Sequence, residues 1–453
     1  MTRDVEKRLK EIEKQNLAAG GDAKPTALWS YEGAVPFADS AVQRYRLGNG
    51  LKVLVLVDKS APVFSYMTWF AVGSRHEKPG KTGLAHLFEH LMFNETEGLK
   101  AGEFDRKLEE NGAESNAATW VDWTYYYENL PSDRLGLAVK LESERMARLV
   151  LRDPQVASEK EVVANERRYR VDDDVEGTAN ELLYKTAFTK HPYHWPTIGW
   201  MPDILGFTPE DCAAFYRTYY APNNATIVVV GDVREADVLA KIQAAYGDMP
   251  ASTPPVEDTH PEPTQGAERR ESLVKPTTTE KVMLGYHGPA LGDADHATLC
   301  VLNEVLFGGR ASRMHRALVI DQELASDLRG WVSTFRDPGL YEMYVSARAG
   351  KTADEMEAVL AREIGRVKEQ PVTDEELARA KARLELGLLQ GLDTASGKAE
   401  QIGFYELVLG DPAAAFRRLE AYRRAGPGDL LRVARRYLVD TERTVVRIIP
   451  EVA

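Results

Sequence analysis

Two histidines, His86 and His90, stand four residues apart in the stretch Gly83-Leu84-Ala85-His86-Leu87-Phe88-Glu89-His90-Leu91-Met92-Phe93-Asn94. Leu84, Leu87, Phe88 and Leu91 recur at helical spacing, so the segment reads as an amphipathic helix with one apolar face. Four residues are one helical turn, and that interval stacks the two imidazoles on a shared face, an arrangement suited to a divalent metal such as zinc. Glu89 follows His86 by three residues, about 60° round the helix from it at 3.6 residues per turn. A carboxylate in that place can lie beside a metal-bound water and take its proton.

The order His-x-x-Glu-His reverses the commoner His-Glu-x-x-His and is the inverted zinc-peptidase signature. With 9 histidines in 453 residues, chance produces it on the order of once or twice per hundred chains, so the rest of the chain has to support it. A catalytic zinc takes three protein ligands and keeps one position for water, and the third ligand is expected from another helix. The charged segment Ser158-Glu159-Lys160-Glu161-Val162-Val163-Ala164-Asn165-Glu166-Arg167-Arg168 carries Glu159 and Glu166 seven apart, with Val162 and Val163 between them on the same stripe. An acid on an apolar stripe calls for a reason, because burying it unpaired is costly. The simpler reading of this helix on its own is a solvated one with scattered charges.

The scaffold that must hold these residues is large: 453 residues suggest two or three domains, each able to bury a full core. A hydrophobic content of 43% with 28% charged residues is that of an ordinary soluble globular protein. The net charge of −13 argues against a nucleic-acid binder, since no basic stripe is present to neutralise phosphates; it is compatible with attracting basic peptides and equally with plain solubility. The two cysteines, Cys212 and Cys300, have no disulfide-framework spacing and read as small buried hydrophobes. The first twenty residues place Val5, Leu9 and Ile12 on one face of a charged helix and lack the apolar core of a signal peptide. The longest uncharged run, residues 60–74, is too short and too polar to span a bilayer. A cytoplasmic protein without a membrane span is expected, with the periplasm left open for a trimmed chain.

In order, residues 18–38 read as a Gly/Pro/Ala-rich arm, 42–57 as a β-hairpin around Gly48-Asn49-Gly50, and 63–72 as a strand leading to the histidine helix. A helix over 103–111 ends at Gly112, and 113–127 reads as two strands turning near Asp122. A helix over 134–151 is stopped by Asp153-Pro154, and the charged helix runs over 158–170. Thr208-Pro209-Glu210-Asp211 opens a helix to Tyr219, followed by a strand over 225–230. Five prolines in residues 250–265 mark an interdomain linker. Beyond it, a strand over 281–286 precedes a helix over 294–306, where His296 and Cys300 replace any metal pair. Thr373-Asp374-Glu375-Glu376 is a capping box for a long helix. The helix-to-strand finish at 433–449 repeats that at 215–230, so a duplicated α+β unit is expected. The expected domains are an N-terminal helix and arm (1–39), a catalytic domain (40–249), a linker (250–270) and a second homologous domain (271–453).

These motifs resemble the pitrilysin, insulinase and mitochondrial-processing-peptidase group of zinc peptidases. Its signature is His-x-x-Glu-His with a glutamate ligand seventy-six residues past the second histidine, and Glu166 stands at that distance from His90. A second acid seven residues before the ligand is matched by Glu159. The resemblance implies that His86, His90 and Glu166 bind Zn2+, that Glu89 is the general base, and that Glu159 supports the site from behind its ligands. Gly112-Ala113-Glu114-Ser115-Asn116-Ala117 looks like the family's edge strand, which implies that Asn116 and Ala117 pair with extended substrate. Asn116 read by itself is equally a turn residue. Pro196-Thr197-Ile198-Gly199 and Tyr220-Ala221-Pro222-Asn223-Asn224 follow the family pattern as packing and turn elements, and Leu306-Phe307-Gly308-Gly309-Arg310-Ala311-Ser312-Arg313 resembles the loop and helix of the family's inactive repeat. The implied fold is α+β: two homologous sandwich-like halves, each a mostly antiparallel sheet packed with helices, together forming one half of a clamshell chamber.

One departure bears on activity. Complete members of the group carry an Arg and a Tyr seven residues apart in the repeat without zinc, holding the substrate carbonyl; here Val319 and Ser326 take those places. Neither side chain donates to a developing oxyanion as Arg and Tyr do. The resemblance therefore implies a zinc metalloendopeptidase subunit acting on peptides or unfolded segments and completed by a homologous partner, as a heterodimer or a homodimer. The alternatives are a non-catalytic core or assembly subunit of the same fold, against which the intact His86, Glu89, His90 and Glu166 set speaks, and an unrelated α+β protein with an accidental motif.

Overall fold

The computed structural model describes residues 28–451 apart from 256 and 258–260, together with the isolated positions 7, 10 and 14. Those three positions aside, the helix expected over the first twenty residues and the start of the expected arm lie outside the described residues. The first sheet contains β1 (Trp29–Phe37), β2 (Ser40–Leu47), β3 (Lys52–Val57), β4 (Val63–Phe70), β5 (Glu114–Thr119), β6 (Thr124–Pro131) and β7 (Ala225–Gly231), in the order β1-β2-β3-β7-β4-β6-β5. The sequence Ala-Thr-Ile-Val-Val-Val-Gly of β7 has no polar face, as a strand covered on both sides requires, and every residue of it is buried. The second sheet contains β8 (Arg269–Lys275), β9 (Lys281–His287), β10 (Ala325–Val332), β11 (Leu340–Ala347) and β12 (Arg443–Pro450), in the order β10-β11-β9-β12-β8.

Pairing directions match between the sheets. β3–β7 and β8–β12 are parallel, while β7–β4–β6–β5 and β12–β9–β11–β10 run antiparallel throughout. The expected duplication is therefore present as two sheets of one topology, the first extended by the β1–β2 hairpin.

The principal helices are α1 (Leu84–Leu91), α2 (Glu103–Glu109), α3 (Leu135–Arg148), α4 (Asp153–Arg167), α5 (Val175–Ala187), α6 (Pro209–Tyr219), α7 (Ala294–Phe307), α8 (Ala353–Glu369), α9 (Asp374–Gly391), α10 (Ala395–Leu409) and α11 (Pro427–Tyr437). The chain divides into two units: Met1–Val163 with Thr197–Glu257 and Gly391–Ala414, and Ala164–Pro196 with Asp258–Gln390 and Ala415–Ala453. α4 is continuous through the first point of division. Each sheet thus receives one helix from the opposite end of the sequence. α5 lies on β8, β9 and β12, burying Ala179, Leu183 and Ala187 at one-turn intervals. α10 lies on β4 and β7, tied down by Lys52–Glu406 at 3.0 Å and Lys398–Asp58 at 2.6 Å. The Lys398 ammonium, bonded to Asp58, holds that carboxyl down at about 2.

Two expectations need correction. Residues 29–37, read as part of an irregular arm, form β1, which pairs with β2; Gly33 and Pro36 disguised it, yet an edge strand accommodates both, Gly33 at a register shift with φ 101°. Asp153-Pro154 does not stop a helix but starts α4, because proline in a first turn forfeits no hydrogen bond. α4 consequently begins five residues earlier than expected and gives way to a π turn at Arg168–Asp172.

Gly403 brings α10 against Trp69: an added Cβ would lie 2.0 Å from the indole Nε1. Gly403→Ala should lower stability by about 1–3 kcal/mol through overpacking. Gly387→Ala in α9, where an added Cβ meets nothing, should raise it by about 0.5–1 kcal/mol. Thermal unfolding of the two variants is expected to move in opposite directions.

Candidate metal centre

The start of α1 is fixed from three sides. Gly83 takes φ 97°, a region open to glycine without steric cost, and Gly199 takes φ 88°. A Cβ on Gly199 would fall 2.3 Å from the Thr82 carbonyl oxygen and 2.6 Å from the Gly83 Cα, so only two glycines let these backbones cross. The first N–H groups of a helix lack internal acceptors, and here Glu77 supplies them: Oε2 accepts from Gly83 and Oε1 from Ala85, each at 2.8 Å. Burial pushes the Glu77 carboxyl well above its ordinary range, against the downward pull of these N–H groups. Thr82 donates through its N–H and its hydroxyl to Asp203 Oδ2 at 3.1 and 2.7 Å. Further along α1, the Tyr126 hydroxyl donates to the Phe88 carbonyl at 2.9 Å. The ring of Tyr126 is held in turn under the buried Arg145 guanidinium, 4.4 Å from its centroid, which pairs with Glu128 and Glu142.

On this helix the His86 and His90 ring centroids are 5.0 Å apart. His86, His90 and Glu166 each offer a ligand atom, all within 4.8 Å of one another, and no other such group of three occurs among the described residues. Two imidazoles and a carboxylate are a donor set of catalytic zinc sites, so the residues present fit that ion. Glu159 Oε2 lies 3.7 Å from His90 Nδ1, and Glu159 Oε1 accepts from Asn94 Nδ2 at 3.0 Å. A carboxylate against one ring nitrogen orients the imidazole to present the other. Glu166 Oε1 is 3.1 Å from Arg170 Nε, one turn along.

Glu89 is half-buried on the same helix. Its charge adds to burial in raising the hydroxyls of Tyr125, Tyr126 and Tyr220, so its carboxylate shares its surroundings with three protonated phenols. Asn116 and Ala117 lie in β5, the edge strand, against which α1 packs. The Ala117 N–H donates to Asn116 Oδ1 at 2.8 Å.

The second unit differs at the corresponding helix. His296 of α7 is wholly buried, with Nε2 2.8 Å from the Ser333 carbonyl and Nδ1 3.0 Å from Arg418. Burial, helped by the Arg418 charge, drives its pKa down to about 3, the state of a neutral core ring. Ser326 donates its hydroxyl to the Ser346 and Ala347 carbonyls at 3.3 and 3.2 Å, and Val319 packs against the second core.

Sequence reading missed Glu77, Asp203 and Tyr126. An acid near a glycine-led helix start is a capping signal, but six residues separate Glu77 from Gly83, beyond the spacing of a capping box. Asp203 and Tyr126 act across long sequence separations and leave no local mark.

A family model described as Insulinase (Peptidase family M16) matches residues 52–199, and one described as Peptidase M16 inactive domain matches residues 206–384. The chain is similar to the zinc protease PqqE of Helicobacter pylori, 31% identical over 412 residues, covering 89% of this chain and 92% of that protein. It is similar to the mitochondrial-processing peptidase subunit beta of Blastocladiella emersonii, 25% identical over 428 residues, covering 93% and 91%. The crystal structure of a protease from Helicobacter pylori superposes with a TM-score of 0.87 at 31% identity, covering 91% of this chain and 100% of that one. Among the described residues no helix is long and apolar enough to cross a membrane.

Glu77→Ala strands the Gly83 and Ala85 N–H groups and should cost about 1–3 kcal/mol. Glu77→Gln, which keeps one acceptor oxygen, should cost less. An unchanged Tm for Glu77→Ala would remove Glu77 from this role.

Proposed function

The chain belongs to the insulinase, or M16, family of peptidases, and on that premise we propose that it is a zinc metalloendopeptidase subunit hydrolysing peptides or unfolded segments. The convergence of His86, His90 and Glu166 is the observation that carries this reading. His86 and His90 would hold the ion through imidazole nitrogens and Glu166 through a carboxylate oxygen. When bound, zinc supplies a Lewis acid that polarises the scissile carbonyl and makes water a better nucleophile. Glu89 accepts the proton of the attacking water at a carboxylate oxygen and returns it to the nitrogen of the leaving amine. Glu159 keeps the His90 ring turned towards the ligand cluster. The free edge of β5 receives the substrate as an added strand at Asn116 and Ala117, so that main-chain bonds serve many sequences.

The catalytic region is residues 40–249, joined by the linker 250–270 to the homologous region 271–453. Val319 and Ser326 supply no donor for the substrate oxyanion, the Ser326 hydroxyl being engaged by backbone carbonyls. A homologous partner bearing Arg and Tyr at those places completes the site, a reading supported by the likeness to a processing-peptidase chain named as a subunit.

Metal analysis of the purified chain should find about one zinc per chain. Glu89→Gln should keep that zinc and lower cleavage of an unfolded peptide by about 10²–10⁴-fold; undiminished cleavage overturns the role given to Glu89. The chain by itself should cleave poorly and gain activity on mixing with an Arg/Tyr-bearing homologue, and full activity in isolation would refute the need for a partner.

A further inference from the structure

The second unit holds a cavity of about 500 Å³ whose lining includes Glu176, Asn180, Met283, Arg329, Trp331 and Glu342. It opens on one face of the second sheet, beside the edge strand β10. Alternation along β10 sets which residues reach it. A Cβ on Gly330 would run into Asn303 and Phe307 of α7, at 2.3 and 2.6 Å, so Arg329 and Trp331 project to the opposite face. The register places Trp331 across from Glu342 and Arg329 across from Tyr344. Trp331 is 37% exposed, a large aromatic left open at the rim.

Glu342 is the unusual member of this group. Its carboxylate accepts from the Tyr184 hydroxyl and from Asn180 Nδ2, the latter at 3.1 Å; both donors are neutral. Arg329, the cation that lines the cavity, is committed elsewhere. It pairs with Glu176, and its guanidinium lies 4.0 Å over the ring of Tyr344, whose hydroxyl also donates to Glu176. Burial accordingly pushes the Glu342 carboxyl up to about 7 in spite of its two hydrogen bonds. A desolvated carboxylate whose hydrogen-bond donors are both neutral, with Arg329 acting on it only at a distance, is costly, and a cation entering beside it would gain both that charge and the π face of an open indole.

We propose that this cavity is a recognition pocket for a lysine side chain of an extended peptide lying along β10, with Glu342 as counter-charge and Trp331 as the wall of the pocket. The proposal rests on the reading that the chain handles peptides, and it adds a specificity pocket remote in sequence from the metal ligands. The edge strand offers backbone groups to an extended chain, and the net charge of −13 favours a basic ligand. Only the ionised carboxylate attracts the ammonium, so affinity rises with pH through about 7. The groups facing Glu342 do not titrate in that range: Glu176 and Tyr184 of α5 are shifted down and up respectively, and Arg329 of β10 and Tyr344 of β11 are both shifted up.

The test is calorimetric titration of the full-length Glu89→Gln protein with a short unstructured peptide carrying one lysine, and with its twin carrying norleucine. The lysine peptide should bind about tenfold more tightly at pH 8 and lose much of that advantage at pH 6. Glu342→Gln should abolish both the advantage and its pH dependence while leaving the norleucine peptide unchanged. Trp331→Ala, at a partly open position, should reduce the lysine preference several-fold. Equal affinity for the two peptides in the unaltered pocket overturns the proposal without requiring any variant to fold, as does a preference that survives Glu342→Gln. Cleavage of peptides without lysine preference sinks the pocket alone; lysine preference with no cleavage by the wild-type chain leaves the pocket standing and sinks the peptidase reading.

Discussion

Two imidazoles on one helix can share an ion with a carboxylate from another only if the first helix is fixed both along its axis and about it. In this chain that constraint falls on the entry to α1. Glu77 takes the N–H groups of Gly83 and Ala85, Asp203 takes Thr82, and the glycine crossing with Gly199 sets the depth to which the helix start is seated. The Tyr126 hydroxyl on the Phe88 carbonyl prevents rotation further along. Glu77, Thr82 and Tyr126 are polar and buried, which is why the anchoring is specific: a lost partner leaves an unsatisfied group where water does not compensate.

The same topology without that set of polar anchors produces a different interior. In the second unit α7 buries its histidine as a neutral core group under Arg418. The sheet pairing directions nevertheless repeat strand for strand. A scaffold tolerates either filling because strand order is set by the buried runs of β7 and β12, while the cluster of His86, His90 and Glu166 depends on a few polar residues laid over them.

How much of this is legible in the chain itself depends on the range over which each signal acts. The helical period of Leu84, Leu87, Phe88 and Leu91 and the one-turn interval of His86 and His90 are local and were readable, as was the Thr208–Asp211 capping box. Glu166 was ambiguous from periodicity alone, since Val162 beside it is 45% exposed and the apolar stripe is incomplete; resemblance singled it out. β1 was hidden because glycine and proline are breakers in a central strand but not at an edge. Asp153-Pro154 is ambiguous in sequence because the same dipeptide can end one helix or open the next; here α3 has already ended at Arg148 and Pro154 falls in the first turn of α4. The destination of α5 and α10 was illegible: Ala179, Leu183 and Ala187 announce an apolar stripe without saying which sheet it covers.

That exchange of helices has a consequence for biosynthesis. When the ribosome has delivered the whole first sheet, as far as Gly231, α10 at Ala395–Leu409 is still unmade. The face of β4 and β7 that it covers, Trp69 included, therefore waits for its cover through more than a third of translation, and exposed apolar sheet of this kind invites aggregation. Splitting its gene at the proline-rich stretch would accordingly yield two fragments that each lack a cover rather than two autonomous domains.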